Sequence, residues 1–212
     1  MRTAYPWRST SDPYQVLIAE IMLRKTTRTQ VLSIYPKFME KFPTIQHLAS
    51  AQIKEVERVI TPLGLERKRA ELLKKLAKQL IERYKGRVPS DREELMQLPC
   101  IGRYTANAIL CFAFGLSVPL VDTNVARVIN RIFSVPYSTT SRTHIQNMWK
   151  FMERIVPRKE AKEFNLAIID FANMICRSKN PKHEYCIVKD ICNWYFNHLK
   201  HKTEVGSSSL GI

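Results

Sequence analysis

Leu98-Pro99-Cys100-Ile101-Gly102-Arg103-Tyr104, followed by Val121-Asp122-Thr123-Asn124, decides how this 212-residue chain is read. Pro99 stops one helix, Gly102 permits a turn conformation and a close backbone approach, and the next helix begins at about Arg103 with its first amides unpaired. Such an N-terminus binds a phosphate oxygen. Asp122 opens a further helix eighteen positions after Tyr104, which is about five helical turns. The spacing offers one held phosphate and one aimed carboxylate. The plain alternative is an ordinary turn between antiparallel helices, with Asp122 serving only as an N-cap.

Outward from this stretch, apolar residues recur at helical spacing and no convincing strand is found, so the chain reads as all-α. Asp12-Pro13 starts a helix that carries Val16, Leu17, Ala19, Glu20 and Leu23. Further helices are expected over Val31 to Phe42, Ile45 to Ile60 and Glu66 to Tyr84, then near 122–133, 142–155 and 159–175. Ser90 with Glu93 forms a capping box for the short helix that ends near Leu98. The end of the chain, residues 201–212, reads as a flexible tail.

A hydrophobic content of 45% is ample for a buried core, and 34 Lys and Arg against 19 Asp and Glu leave a net charge of +15. That charge favours a polyanionic partner, nucleic acid first, although charge alone also suits a ribosomal or membrane-surface protein. No apolar run reaches the roughly 18 residues that span a bilayer. The N-terminus also lacks the apolar stretch of a secretion signal. A cytoplasmic, nucleoid-associated protein of a prokaryote, without a membrane partner, is expected.

Cys100 and Cys111 lie among apolar residues and read as free thiols. The other three cysteines, Cys176, Cys186 and Cys192, fall with His183 inside 17 residues. Four soft or borderline ligands at that density suggest a metal centre.

The run from Glu94 to Ala108 together with Val121 to Val128 resembles the helix-hairpin-helix DNA glycosylases of the endonuclease III superfamily. Pro6-Trp7-Arg8, Asp12-Pro13-Tyr14 and Glu20-Ile21-Met22-Leu23 are similar to its adenine glycosylases. Leu23 to Thr27, Pro62-Leu63-Gly64-Leu65, Tyr104 and Phe164-Asn165-Leu166-Ala167 are most similar to the archaeal-type thymine DNA glycosylases that act on T opposite G. The resemblance implies a two-domain, all-α fold. A six-helix barrel over residues 15–133 would face a cluster domain from 1–14 and 134–200, with the active site in the cleft between them.

It also implies roles. Asp122 would face a flipped nucleotide and stabilise the positive charge that builds on the sugar as the N-glycosidic bond breaks, or orient water. Tyr104 stands where bifunctional members carry a Lys, and a phenol forms no imine, so the base would be removed with the strand intact. Glu20 matches an acid that protonates a departing purine, or else serves the helix structurally. Arg24 or Lys25, and Leu65, match positions that insert into the base stack, with Leu65 reading equally as a core residue and the basic pair as a solvated face. Leu98, Pro99, Cys100, Ile101, Gly102 and Arg103 would meet the DNA backbone. Lys68, Arg69, Lys74, Lys75 and Lys78 read equally as a solvated helix face or a phosphate track.

The metal-loop spacing, with six, two and five residues between ligands, matches the family's iron-sulfur loop, with His183 where Cys is usual. A [4Fe-4S] cluster held by Cys176, His183, Cys186 and Cys192 is the favoured reading. A three-iron form, zinc or no metal remain open. Cys100 stands where the family hairpin has Gly, and a positive φ there would add strain of order 1 kcal/mol or more. The expected activity is that of a monomeric, monofunctional glycosylase, removing thymine or uracil mispaired with guanine from double-stranded DNA. An adenine glycosylase acting on A opposite 8-oxoguanine or G, or a non-catalytic DNA-binding protein, are the alternatives. The short stretch after Cys192 favours thymine over adenine, because no further C-terminal domain of the kind that reads oxidised guanine is expected.

Overall fold

The computed structural model describes residues 5–200, so the expected tail at 201–212 lies outside the described residues. Among these residues there is no strand, in agreement with the helical periodicity. The chain divides into two compact units, Met1–Leu116 and Ser117–Ile212.

The first unit contains α1 (Pro6–Ser9), α2 (Pro13–Leu23), α3 (Arg28–Lys41), α4 (Ile45–Ser50), α5 (Ile53–Ile60), α6 (Glu66–Tyr84), α7 (Arg92–Met96) and α8 (Arg103–Phe112). Its helix starts follow local chemistry. Asp12 accepts a hydrogen bond from the Gln15 amide at 2.8 Å, and Thr27 forms a capping box with Gln30 ahead of α3. Helix α2 is buried from Val16 to Met22 and packs against α3 and α8, while α6 packs on α4 and α5. Leu17, Ile18, Phe38, Leu73 and Ile109 are among the fully buried side chains. Each stabilises the fold by roughly 1.5–3 kcal/mol through loss of wet apolar area.

Two local expectations need correction. The single helix expected over Ile45 to Ile60 is two helices, broken at Ala51-Gln52. The Gln52 amide donates to Glu55 Oε2 at 3.0 Å to start α5, and Lys74 Nζ donates to the carbonyls of Leu48, Ala49 and Ala51 at the end of α4. One inward lysine thus satisfies carbonyls that would otherwise favour a continuous helix. At α7 the cap is Asp91, which accepts from the Glu94 amide at 3.0 Å, in place of Ser90.

The second unit contains α9 (Thr123–Phe133), α10 (Arg142–Ile155), α11 (Ala161–Met174) and α12 (Asn193–Tyr195), the last running into a π turn over Phe196–Lys200. Helix α9 packs against α11 and α12. Its apolar core brings Val128, Ile132 and Ala172 together with Cys176 and Cys192. Asn165 is fully inside this unit, where its side chain donates to Val118 and Ala161 carbonyls and accepts from the Leu120 amide. That bonding fixes the segment leading into Asp122.

Candidate nucleic-acid interface and active site

In the first unit the hairpin between α7 and α8 is anchored by Leu98 and Ile101, both buried. Their side chains therefore serve the core, and this segment has only its backbone, Pro99, Cys100 and Gly102 to offer an outside ligand. Cys100 is exposed and adopts φ 60°, so the left-handed residue of the turn is Cys100. The expectation of a positive φ there holds, and it costs a side-chain-bearing residue roughly 1–2 kcal/mol. Gly102 does not supply the special turn conformation expected of it. Its φ of −100° is open to any residue, and a Cβ built on it meets no protein atom within 4 Å. Nothing within the chain requires glycine at that position.

Arg103 and Tyr104 begin α8 and are half-buried, while Glu20 is buried in α2. Arg24 and Lys25 are exposed just after α2, and Lys25 has φ 53°. The Arg24 guanidinium turns to the hairpin and donates from Nη1 to the Cys100 carbonyl at 2.7 Å. Leu65 is no core residue: it is 63% exposed with φ 53°, at the head of α6. Among the basic residues left ambiguous, Arg69 and Lys74 turn inward to carbonyls, and Lys78 pairs with Glu82 at 3.8 Å.

In the second unit Asp122 caps α9. Oδ1 accepts from the amides of Asn124 (2.9 Å) and Val125 (2.7 Å), and Oδ2 accepts from Asn124 Nδ2 at 3.1 Å. The N-cap reading of this residue is thus correct as geometry, and the same bonds fix the direction of the carboxylate. Asn124 is itself held, because Arg127 Nη1 donates to its Oδ1 at 2.9 Å. Arg127 continues to the carbonyls of Ala172 (2.9 Å) and Cys176 (3.0 Å) at the end of α11. The Tyr137 phenol is pushed up by burial and then by the Asp122 charge.

Cys176, His183, Cys186 and Cys192 line one pocket with Arg131, Pro181 and Trp194. Among the described residues, no three His, Cys, Asp or Glu side chains stand in the arrangement of a closed metal site. The donor set nonetheless suits iron or zinc: three thiols and an imidazole share the same walls. Burial, then Arg131, lowers the His183 pKa, favouring the neutral ring that metal ligation uses. Burial, then Cys192 and Cys176, raises the Cys186 thiol. Arg131 braces the loop, donating to the carbonyls of Arg177 (2.7 Å) and Ser178 (3.1 Å) and lying 3.5 Å from Cys176 Sγ. Its guanidinium covers the Trp194 ring at 4.8 Å. The Trp194 ring also stacks with His183, at 5.6 Å, and with His198, at 4.9 Å.

Asn124, Arg127, Arg131, Tyr137 and Trp194 escaped the sequence reading. The proximity of Asn124 to Asp122 was the only local signal among them.

The family model of the HhH-GPD superfamily base excision DNA repair proteins matches residues 18–154. The chain belongs to this family. Among HhH-GPD relatives, the thymine/uracil-DNA glycosylase of Pyrobaculum aerophilum is 42% identical over 194 residues, covering 90% of this chain and 84% of the relative. The structure of a thermostable thymine-DNA glycosylase superposes with a TM-score of 0.88 at 40% identity, covering 92% of this chain and 90% of that one. A non-covalent complex of endonuclease III with DNA gives a TM-score of 0.79 at 30% identity, covering 92% and 89%. The helix-hairpin-helix, endonuclease III-like fold expected from the sequence is the fold of this HhH-GPD chain. No helix among the described residues is long and apolar enough to cross a membrane.

Proposed function

We propose that this protein removes thymine or uracil mispaired with guanine from double-stranded DNA, hydrolysing the N-glycosidic bond and leaving the strand uncut. The observation that carries the reading is the Asp122 carboxylate, fixed by three N–H donors at the head of α9, in a chain so similar to a thymine/uracil-DNA glycosylase. As the bond from C1′ to the base breaks, positive charge grows on the sugar, and a fixed carboxylate stabilises it without reorganising. Water then bonds to C1′ and loses its proton, with Asp122 orienting it. The base leaves with the electron pair of the broken bond and takes up a proton. Glu20, buried in α2, is placed in this reading as the group that contacts or protonates the base. Tyr104 supplies no amine, so no imine forms and no elimination cuts the strand.

In the same reading Gly102 is glycine because a DNA phosphate approaches its backbone closely, which accounts for the open space at its absent Cβ. Arg103, Pro99, Cys100 and the backbones of Leu98 and Ile101 line that contact. Arg24, Lys25 and Leu65 prop the duplex. Cys176, His183, Cys186 and Cys192 would hold a [4Fe-4S] cluster, which would order the basic loop from Arg177 to Lys189. Hydrolysis of a glycosidic bond needs no electron transfer, so the role is structural. The barrel over 15–133, the cluster domain from 1–14 and 134–200, a monomeric state and work on the prokaryotic chromosome belong to this proposal.

The test is incubation with duplexes carrying T/G, U/G, A/8-oxoguanine and thymine glycol, with and without alkali. Strand breaks at T/G and U/G that appear only after alkali support the reading. Release of A opposite 8-oxoguanine, breakage without alkali, or binding with no base release each overturn it.

A further inference from the structure

Three segments of the first unit that carry the expected DNA contacts end in a side-chain-bearing residue with left-handed backbone: Lys25, Leu65 and Cys100, at φ 53°, 53° and 60°. Such conformations persist only where the surroundings over-determine them. Here the restraint comes from two guanidinium groups. Arg69, in the first turns of α6, donates from Nε to the Gly64 carbonyl at 2.9 Å, next to Leu65. Its Nη1 donates to Ile21, in α2, at 3.4 Å, and its Nη2 to the Arg24 carbonyl at 2.8 Å and Thr26 Oγ1 at 2.6 Å. Arg24 in turn holds the Cys100 carbonyl, and Gln30 Nε2 reaches the Pro62 carbonyl at 3.4 Å.

We infer that Arg69 is a positioning residue for damage recognition: it sets the spacing between the Leu65 loop and the Arg24–Thr26 turn, so that both enter the duplex together when a nucleotide is extruded. This rests on the proposed glycosylase reading. Three features carry it. All three guanidinium nitrogens of Arg69 donate inward, so it is no phosphate contact. A planar fork fits four acceptors from three segments at once, which an ammonium group cannot do. The loop it holds presents Leu65, a large apolar side chain left mostly in water, as a wedge entering a base stack would be. Burial and then the nearby Arg24 charge lower the Arg69 pKa, so two cations are kept close at an electrostatic cost that the carbonyls offset.

The experiment measures Kd for two duplexes with the full-length protein. One carries a tetrahydrofuran abasic analogue opposite guanine, and the other is fully paired. Arg69→Lys is expected to reduce the ratio of the two affinities about tenfold or more, leaving paired-duplex affinity within about twofold and the salt slope unchanged. Thr26→Val, which removes one anchor, should do the same to a smaller degree and carries the test if Arg69→Lys does not fold. The double variant Arg69→Lys/Leu65→Ala should show the ratio of Leu65→Ala alone, because both act through one wedge. Equal loss of both affinities would mean a structural or phosphate-binding role, and an unchanged ratio would mean no role; either overturns the inference. Wild-type protein that shows no preference for the abasic duplex would instead count against the glycosylase reading.

Discussion

Asp122→Asn separates the two duties that one carboxylate performs. Asparagine ranks with aspartate as an N-cap, so its carbonyl oxygen can still accept from the amides of Asn124 and Val125. The bond between Oδ2 and Asn124 Nδ2 is lost, because the new amide would face another amide. Asn124 cannot turn over to compensate while Arg127 holds its Oδ1. One lost hydrogen bond costs about 1 kcal/mol, which lowers Tm by roughly 2–4 °C for a chain of this size. Asp122→Ala also loses the cap, for a total of about 2–3 kcal/mol. The chemical effect should be far larger: loss of preorganised stabilisation at a developing charge costs at least about 100-fold to 1000-fold in rate. Single-turnover excision from T/G and U/G duplexes, scored after alkali beside thermal melting, reads both quantities. An Asn variant that keeps a rate within about tenfold of wild type while losing its few degrees of Tm would show Asp122 to be a helix cap and nothing more.

Tyr104→Lys places an amine at the start of α8 and is expected to give an adduct with substrate DNA that borohydride traps; no adduct with this variant would count against the role given to that position. Cys100→Gly removes a left-handed strain of roughly 1–2 kcal/mol but adds about 0.5–1 kcal/mol of unfolded-chain entropy, so Tm should hold or rise, by up to about 6 °C, and not fall. Urea melts of the two proteins measure the difference directly. Protein prepared anaerobically should be brown and contain iron and acid-labile sulfide, and stripping the metal should lower Tm; a colourless, iron-free preparation would remove the cluster from the account.

Helix starts were readable where their chemistry is local. Asp12, Asp122 and the Pro13 first turn act within three or four residues, and Glu66–Tyr84 matches the expected helix end for end. The break after Ser50 was hidden because Lys74, more than twenty residues on, supplies the donor that makes it tolerable. The same holds for the arginines. Arg69, Arg127 and Arg131 find carbonyls more than forty positions away, and nothing in a basic helical face marks which guanidinium turns inward. Periodicity did not reveal that Leu98 and Ile101 would be buried while Cys100 between them is exposed, because a hairpin has no fixed repeat. The turn conformation expected of Gly102 was misjudged for a related reason: glycine invites a conformational explanation, and here the backbone angle does not need one.

The contacts of Trp194 with His183, His198 and Arg131 give the molecule an optical reporter. Its other two tryptophans, Trp7 and Trp149, are buried elsewhere, so emission that responds to quencher originates mainly from the half-buried indole of Trp194. An indole against an imidazole and under a cation is sensitive to both the charge and the distance of its neighbours. Filling or emptying the Cys/His loop therefore registers as a change in emission intensity and wavelength, with no label attached, and can be followed while DNA is being added.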